Sequence, residues 1–463
     1  MHKRILQYLF LISSCICFLS CANELPPPGG DEDISPPVVM KITPRENTVN
    51  FSGKSIVIEF DEYVDRRSFQ DALFISPQPK SEVEINYSGK EVEIYFPDGL
   101  ESNRTYTIYI GKTLKDVRRG NPLAEPIQFA ISTGSKIDKG KLTGKVYAEN
   151  YNDIFILAYR LNGSETVDPA VRIADFISQV DTGGTYSFLN LPEGKFRVFA
   201  MDDNNRNLLF DKEFDKIYMT TGDFEVSDSK SAVNVDFLAE KLGMEVGSDE
   251  LYALLRPDTA GYVYSSIPDG VKEIPPDYRF YFYFPNNKLT RLDIADNVSI
   301  IDTATGQSYR PVFNWLNDSL LEIFTAENLR FGITARIKFD FRNTTLNYFY
   351  SLKFSVTEES SSGRIMGRVI NKGYPGSPVW IRLYNNTNKF ISYSTKVYSD
   401  TTFSFPNILE GSYTVFSFVD LNDDGEFYYG QVNPFKPAEK FIIFSEDLKV
   451  RGTWSVDNVF LNF

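Results

Sequence analysis

Two stretches of this chain recur in the same order. The segment "EVEIYFPDGLESNRTYTIYI" (91–110) aligns without a gap on "LLEIFTAENLRFGITARIKF" (320–339), matching Ile94 to Ile323, Leu100 to Leu329, Thr105 to Thr334 and Ile108 to Ile337. Upstream, "VDRRSFQDALFI" (64–75) matches "LTRLDIADNVSI" (289–300). A second pair interleaves with the first: "GKLTGKV" (140–146) with "GRIMGRV" (363–369), and "TYSFLNLPEGKFRVF" (185–199) with "TFSFPNILEGSYTVF" (402–416). The order is A-B-A′-B′, four modules of about 100 residues, the size of a single β-sandwich. A chain of 463 residues is in any case too long for one hydrophobic core.

The period within the modules is that of strands. In "SEVEINYSGKEVEIYF", Val83, Ile85 and Tyr87 alternate with Glu82, Glu84 and Asn86. After Ser88-Gly89 the pattern resumes with Val92, Ile94 and Phe96 against Glu91 and Glu93. This predicts a β-hairpin with one wet face. No stretch carries a long 3.6-residue period with caps, so little helix is expected. Aromatics at 15% of residues, mostly Phe and Tyr, suit half-buried strands. The fold class predicted is all-β, tandem sandwiches. The polar junctions at 132–141 and 357–364 predict sandwiches strung end to end; the longer stretch from Glu240 to Tyr278, with "LYALLRPD", leaves room for its neighbours to pack through it.

The N-terminus, "MHKRILQYLFLISSCICFLSC", has a basic start at Lys3 and Arg4, an apolar run and small residues before a cysteine, the pattern of a secretion signal. "FLSC" (18–21) resembles the lipobox of bacterial lipoproteins, with Phe18 where that family prefers an aliphatic residue. The resemblance implies a signal peptide at 1–20, acylation of Cys21 and a lipid membrane as partner. Cys15, ending "ISSC", is the alternative, but it would leave apolar "ICFLS" on the mature chain. An uncleaved helix is disfavoured, because an apolar run of about 16 residues is short of the roughly 20 a span needs. Residues 21–36 then form an extended, solvated Pro/acidic tether, roughly 45 Å long at about 3.1 Å per residue.

Processing at Cys21 has chemical consequences. The three cysteines are Cys15, Cys17 and Cys21, and the single histidine is His2, so the mature chain keeps only the anchor cysteine. Cys nucleophiles, Ser-His-Asp triads, Zn sites of His or Cys, and intrachain disulfides are excluded. Loss of Lys3 and Arg4 takes the net charge two units beyond −14, which argues against a nucleic-acid partner.

Module A, from "PPVVMKITPRENTVNFSGKSIVIEFDEYVD" through "TYTIYIGKTLKDVRRGNPLAEPIQFAIST", resembles the bacterial Ig-like domain found in surface-layer proteins. Module A′ lacks a "GNPL" equivalent, and its likeness rests on the repeat. Modules B and B′, with "GKV…GGTYSFLNLPEGKFRVF" in the first, resemble the carboxypeptidase regulatory-like or prealbumin-like sandwich. The resemblances imply Ig-like modules at 37–135 and 250–357 and prealbumin-like modules at 138–240 and 361–463. They imply no catalytic residue.

Asp420, Asn422 and Asp424, followed by Gly425 in "FVDLNDDGEFYYGQ", have the alternating oxygen ligands and glycine of a calcium loop. Asp203, Asn205 and Asn207 stand at the same positions in B. Position 12 of an EF-hand would be Gln431, and in B Phe214, rather than Glu, and flanking helices are not expected. The alternative is a plain turn, which Asn, Asp and Gly favour for backbone reasons. Glu59, Asp61, Glu62 and Asp65 in "EFDEYVD" are the acids a glycosidase would need, but the resemblance places them at a strand end and the following corner. In "YRFYFYFP" (278–285), Phe280, Phe282 and Phe284 share one strand face and Tyr281 and Tyr283 the other; Trp315, Trp380 and Trp454 are further stacking candidates.

The reading is a non-enzymatic outer-membrane lipoprotein of the bacterial envelope, without cofactor unless calcium binds. It serves as a spacer, scaffold or adhesion module. The competing reading is a lipoprotein that binds a glycan or protein ligand through aromatic or acidic loops of A′ or B′. A hydrolase using carboxylates alone is a distant third.

Overall fold

The computed structural model describes residues 33–463 apart from 152, 164–165, 244–248, 259–261, 286–290, 345–346, 399 and 445. The signal segment with Cys21 lies outside the described residues. Two compact units result. One takes in the described chain up to Ile75 and Pro79–Lys136, the other Ser76–Gln78 and Ile137–Phe463.

In the first unit the hairpin forms as the alternation predicts. Glu84–Ser88 pairs antiparallel with Glu91–Tyr95, setting Ile85 opposite Ile94 and Tyr87 opposite Val92. Val92 and Ile94 are buried while Glu91 is exposed. Ser55–Phe60 and then Val39–Thr43 extend this sheet. A second sheet runs Leu73–Ser76, Thr105–Ile110, Ile127–Ser132. Ile56, Ile58, Ile94, Tyr106, Ile108 and Ile131 are among the side chains filling the core. The helix Arg66–Ala72 starts where the Asp65 side chain accepts from Ser68 N at 2.8 Å, and it buries Phe69 and Ala72.

In the second unit, module B builds one sheet from Phe176–Gln179, Ile154–Leu161, Gly194–Asp202 and Lys216–Met219, with Phe224–Val226 also on Gly194–Asp202. Its other sheet sets Gly140–Tyr147 between Thr185–Leu191 and the parallel strand Phe237–Leu238. Module B′ has the same order and pairing. Its sheets are Ser392–Val397, Val379–Asn385, Gly411–Val419 and Phe441–Ile443, with Leu448–Val450 on Gly411–Val419, and Thr402–Leu409, Ser362–Ile370, Ser455–Asn462. Module A′ has two five-stranded sheets, centred on Phe280–Tyr283 and Thr334–Asp340. Its helix Arg291–Asn297 falls at the aligned position of Arg66–Ala72. Phe280, Phe282 and Phe284 point into the core, and Tyr281 and Tyr283 lie half-buried on the other face under the helix Asp249–Leu254.

The end-to-end expectation does not hold within the second unit. One buried apolar cluster runs from Val263 of A′ to Leu461 of B′, and Thr357, Ser362 and Gly363 at their junction are buried. Phe390 of B′ packs 6.0 Å from Tyr281 of A′. B and B′ also meet: Phe435 lies 5.9 Å from Phe199 and under the Arg197 guanidinium at 3.8 Å, and Ala438 N donates to Thr220 O at 2.9 Å. The physical reason is the outer face of Ile154–Leu161, where Phe155, Leu157 and Tyr159 are as apolar as the inner face and need cover.

Candidate functional site

Asp420 is set at the end of the strand Gly411–Val419, and it is buried, 1% exposed. Its Oδ2 accepts from Gly425 N at 2.9 Å and from the Trp380 indole at 3.0 Å; its Oδ1 accepts from Asp424 N at 3.2 Å. Asp424 Oδ1 accepts from Glu426 N at 2.7 Å, and its Oδ2 accepts from Asn422 Nδ2 at 2.7 Å. Gly425, at φ +81°, sits where only glycine turns without strain. The three predicted residues are therefore brought together, with their oxygens engaged by protein donors. Among the described residues, no group of three or more His, Cys, Asp or Glu is arranged to hold a metal ion.

The sequence pattern missed the carboxylate that closes the loop. Glu439, 2% exposed, accepts from Leu421 N at 2.7 Å and Tyr428 N at 3.0 Å. Burial pushes its carboxyl up, and the nearby charges of Asp420 and Asp424 push it further, against the two N–H groups. Module B repeats the device. Asp203 accepts from Leu208 N at 2.9 Å and Asn207 N at 3.3 Å, and buried Asp215 accepts from Asn204 N at 3.0 Å and Asp211 N at 2.9 Å. The only available signal was a second acid downstream of each turn, at a spacing that differs between the copies.

Three acids of the first unit, Asp61, Asp65 and Asp116, are also engaged by backbone donors. Asp61 accepts from Val38 N at 2.7 Å, and Asp65 caps its helix. Asp116, which precedes "GNPL", accepts from Arg119 N, Gly120 N and Asn121 N at 2.6, 3.1 and 2.9 Å. Its own N–H donates to Asn121 O at 3.1 Å. The motif is thus a carboxylate wrapped by its own loop. Glu62 is raised by burial and then by Asp116, Asp61 and Asp33. Of the three tryptophans, Trp315 and Trp380 are half-buried and Trp454 is exposed.

Residues 33–133 match the model of the bacterial Ig-like domain. No curated protein matches the chain. Solved structures with some likeness include an L,D-transpeptidase from Mycobacterium smegmatis, 18% identical, covering 24% of this chain, at a TM-score of 0.17. This chain spans 44% of that protein's length. Domains 1–6 of the surface layer protein SbsC are 9% identical over 90% of this chain and 67% of that one, at 0.17. The major pilin subunit of Bacillus cereus is 10% identical over 70% and 99%, at 0.15. At these scores the likenesses carry no argument about function. Among the described residues, no helix is long and apolar enough to cross a membrane.

Proposed function

We propose that this chain is an outer-membrane lipoprotein of the bacterial envelope, held by acylated Cys21, whose β-sandwiches act as a non-enzymatic scaffold, spacer or adhesion module. The division into Ig-like modules at 37–135 and 250–357 and prealbumin-like modules at 138–240 and 361–463 belongs to this proposal. The observation that carries it is the bacterial Ig-like match at 33–133, which begins shortly after the lipobox-like "FLSC". The engagement of Asp61, Asp65, Asp116 and Asp420 by backbone donors supports a structural role for these acids. The test is growth with an alkyne fatty acid: the wild type is expected to incorporate it, and Cys21→Ala to accumulate as an unlabelled precursor. Labelling of Cys21→Ala at the wild-type level overturns the anchor.

The Asp420–Asp424 loop acts in this reading as a turn that closes on its own donors. Millimolar calcium is expected to leave the melting temperature unchanged, while Asp420→Ala lowers it by removing a buried acceptor of three hydrogen bonds. A calcium-dependent rise in the wild type, lost in Asp420→Ala, would instead identify a metal site, since a ligand of the native state stabilises by mass action.

A further inference from the structure

We propose that the outer face of the B′ sheet is a binding site for an oligosaccharide. Comparison with the same face of B carries the argument. The alignment that places Phe416 on Phe199 also sets register equivalents around them. In B, Leu157 stands opposite Phe199 and Ile177 opposite Leu157. All three are buried, and Phe435 lies against Phe199. In B′ the corresponding places are Arg382, opposite Phe416, and Ser394, opposite Arg382. Two apolar positions have become a guanidinium and a hydroxyl; Phe416 stays buried under Phe427 at 5.6 Å, and beside it, at Arg382 and Ser394, the face opens on a cleft.

That cleft has a volume of about 610 Å³, and Arg382, Ser392, Ser394, Phe390, Glu426 and Tyr429 are among its lining residues. The volume lies within the range of about 300–1,000 Å³ usual for small-molecule sites. Arg382 is held rigidly. Its two terminal nitrogens each lie 3.2 Å from a Glu426 oxygen, it donates to Gly425 O, and its plane lies over Phe418 at 5.4 Å. The turn built on Asp420 fixes the wall that carries Gly425, Glu426 and Tyr429, so the loop first noticed in the sequence has a task in the site. Tyr429, 38% exposed, stands edge-on to Phe427 at 4.8 Å.

The chemistry selects the ligand. A planar guanidinium–carboxylate pair offers donors and acceptors side by side, which suits the neighbouring hydroxyls of a sugar. The serines add adaptable donors and acceptors, and the rings of Tyr429 and Phe390 supply apolar surface for the C–H face of a pyranose. A purely apolar ligand would strip water from Arg382 and Glu426 without replacing its hydrogen bonds. The site stands apart from the anchoring function and does not depend on it.

The test is titration of the detergent-solubilised full chain with cellohexaose, chitohexaose and an oligogalacturonate, read by calorimetry. At least one is expected to bind, and Tyr429→Ala and Ser394→Trp are each expected to weaken it by about tenfold or more. Trp454→Ala, an exposed ring outside the cleft lining, should bind as the wild type does. Ser394→Ala, which leaves the strand its small side chain, guards against misfolding and should weaken binding less than Ser394→Trp. Preference for the oligogalacturonate would assign Arg382 to a carboxylate; preference for a neutral sugar would assign it to hydroxyls. The proposal is overturned if none of the three saturates the protein, or if binding is unchanged in Tyr429→Ala and both Ser394 variants.

Discussion

Replacing Gly367 by alanine is expected to destabilise the second unit by about 3 kcal/mol, the upper part of the range for forcing atoms into a packed interior. Gly367 lies on Ser362–Ile370, between Phe403 of one neighbouring strand and Val459 of the other. A Cβ there would come closer than 3.0 Å to the Val459 carbonyl and to the Phe403 ring. The ring can turn, but the carbonyl belongs to a parallel ladder that would have to separate. Gly144 in module B faces the Val235 carbonyl in the same way, so Gly144→Ala should behave alike. Gly373→Ala is the control, because its Cβ would meet only Phe463 backbone atoms at 3.6 and 3.7 Å. Thermal melts of the three variants decide the matter: a Gly367→Ala protein that melts with the wild type would mean that the parallel pairing with Ser455–Asn462 is not formed.

Asp116→Ala is expected to cost about 2 kcal/mol at neutral pH, because three N–H groups of an exposed loop lose the buried charged acceptor they close on. The loss should depend on pH. Burial alone would push the Asp116 carboxyl up, but the N–H groups of Arg119, Gly120 and Asn121, with the Asn121 side chain, outweigh it and hold the group below the usual aspartate range. A carboxyl depressed in the folded state contributes its stability above its unfolded pKa, about 3.9, and loses it as pH falls through the lower folded value. The difference between wild type and Asp116→Ala should therefore be full at pH 7 and shrink in strong acid. Because Asp116 also raises Glu62, the Glu62 carboxyl should titrate at lower pH in the variant, a shift visible by NMR. A stability gap that stays constant down to acid pH would remove the carboxylate from this role.

Much of the fold was legible in the chain itself. Strand alternation follows from side chains pointing to opposite faces at every second residue, so Val92 and Ile94 against Glu91 and Glu93 sufficed for the hairpin and its buried face. The match of "GKLTGKV" to "GRIMGRV" was readable as a repeat, but not that Gly144 and Gly367 stand where a neighbouring carbonyl approaches closely. The turn at Asp420, Asn422 and Asp424 was also readable, since Asx and Gly conformational preferences act over a few neighbouring residues.

The remainder needed tertiary structure. Glu439 and Asp215 close their turns from different distances along the chain, and loop closure leaves no periodic mark. The same limit explains why A′ and B′ pack together within the second unit where an end-to-end arrangement was expected. The polarity of "TEESSSGR" describes its side chains, whereas the burial of Thr357, Ser362 and Gly363 depends on what packs around them. Local sequence determined the strands, their inward faces and the turns, because those are set by backbone geometry and nearest neighbours. Whether an outer sheet face is covered, as at Leu157 and Phe199, or opens on a cleft, as at Arg382 and Ser394, was decided only when distant segments met. Burying that second layer of apolar surface is a property of the assembled chain rather than of any stretch within it.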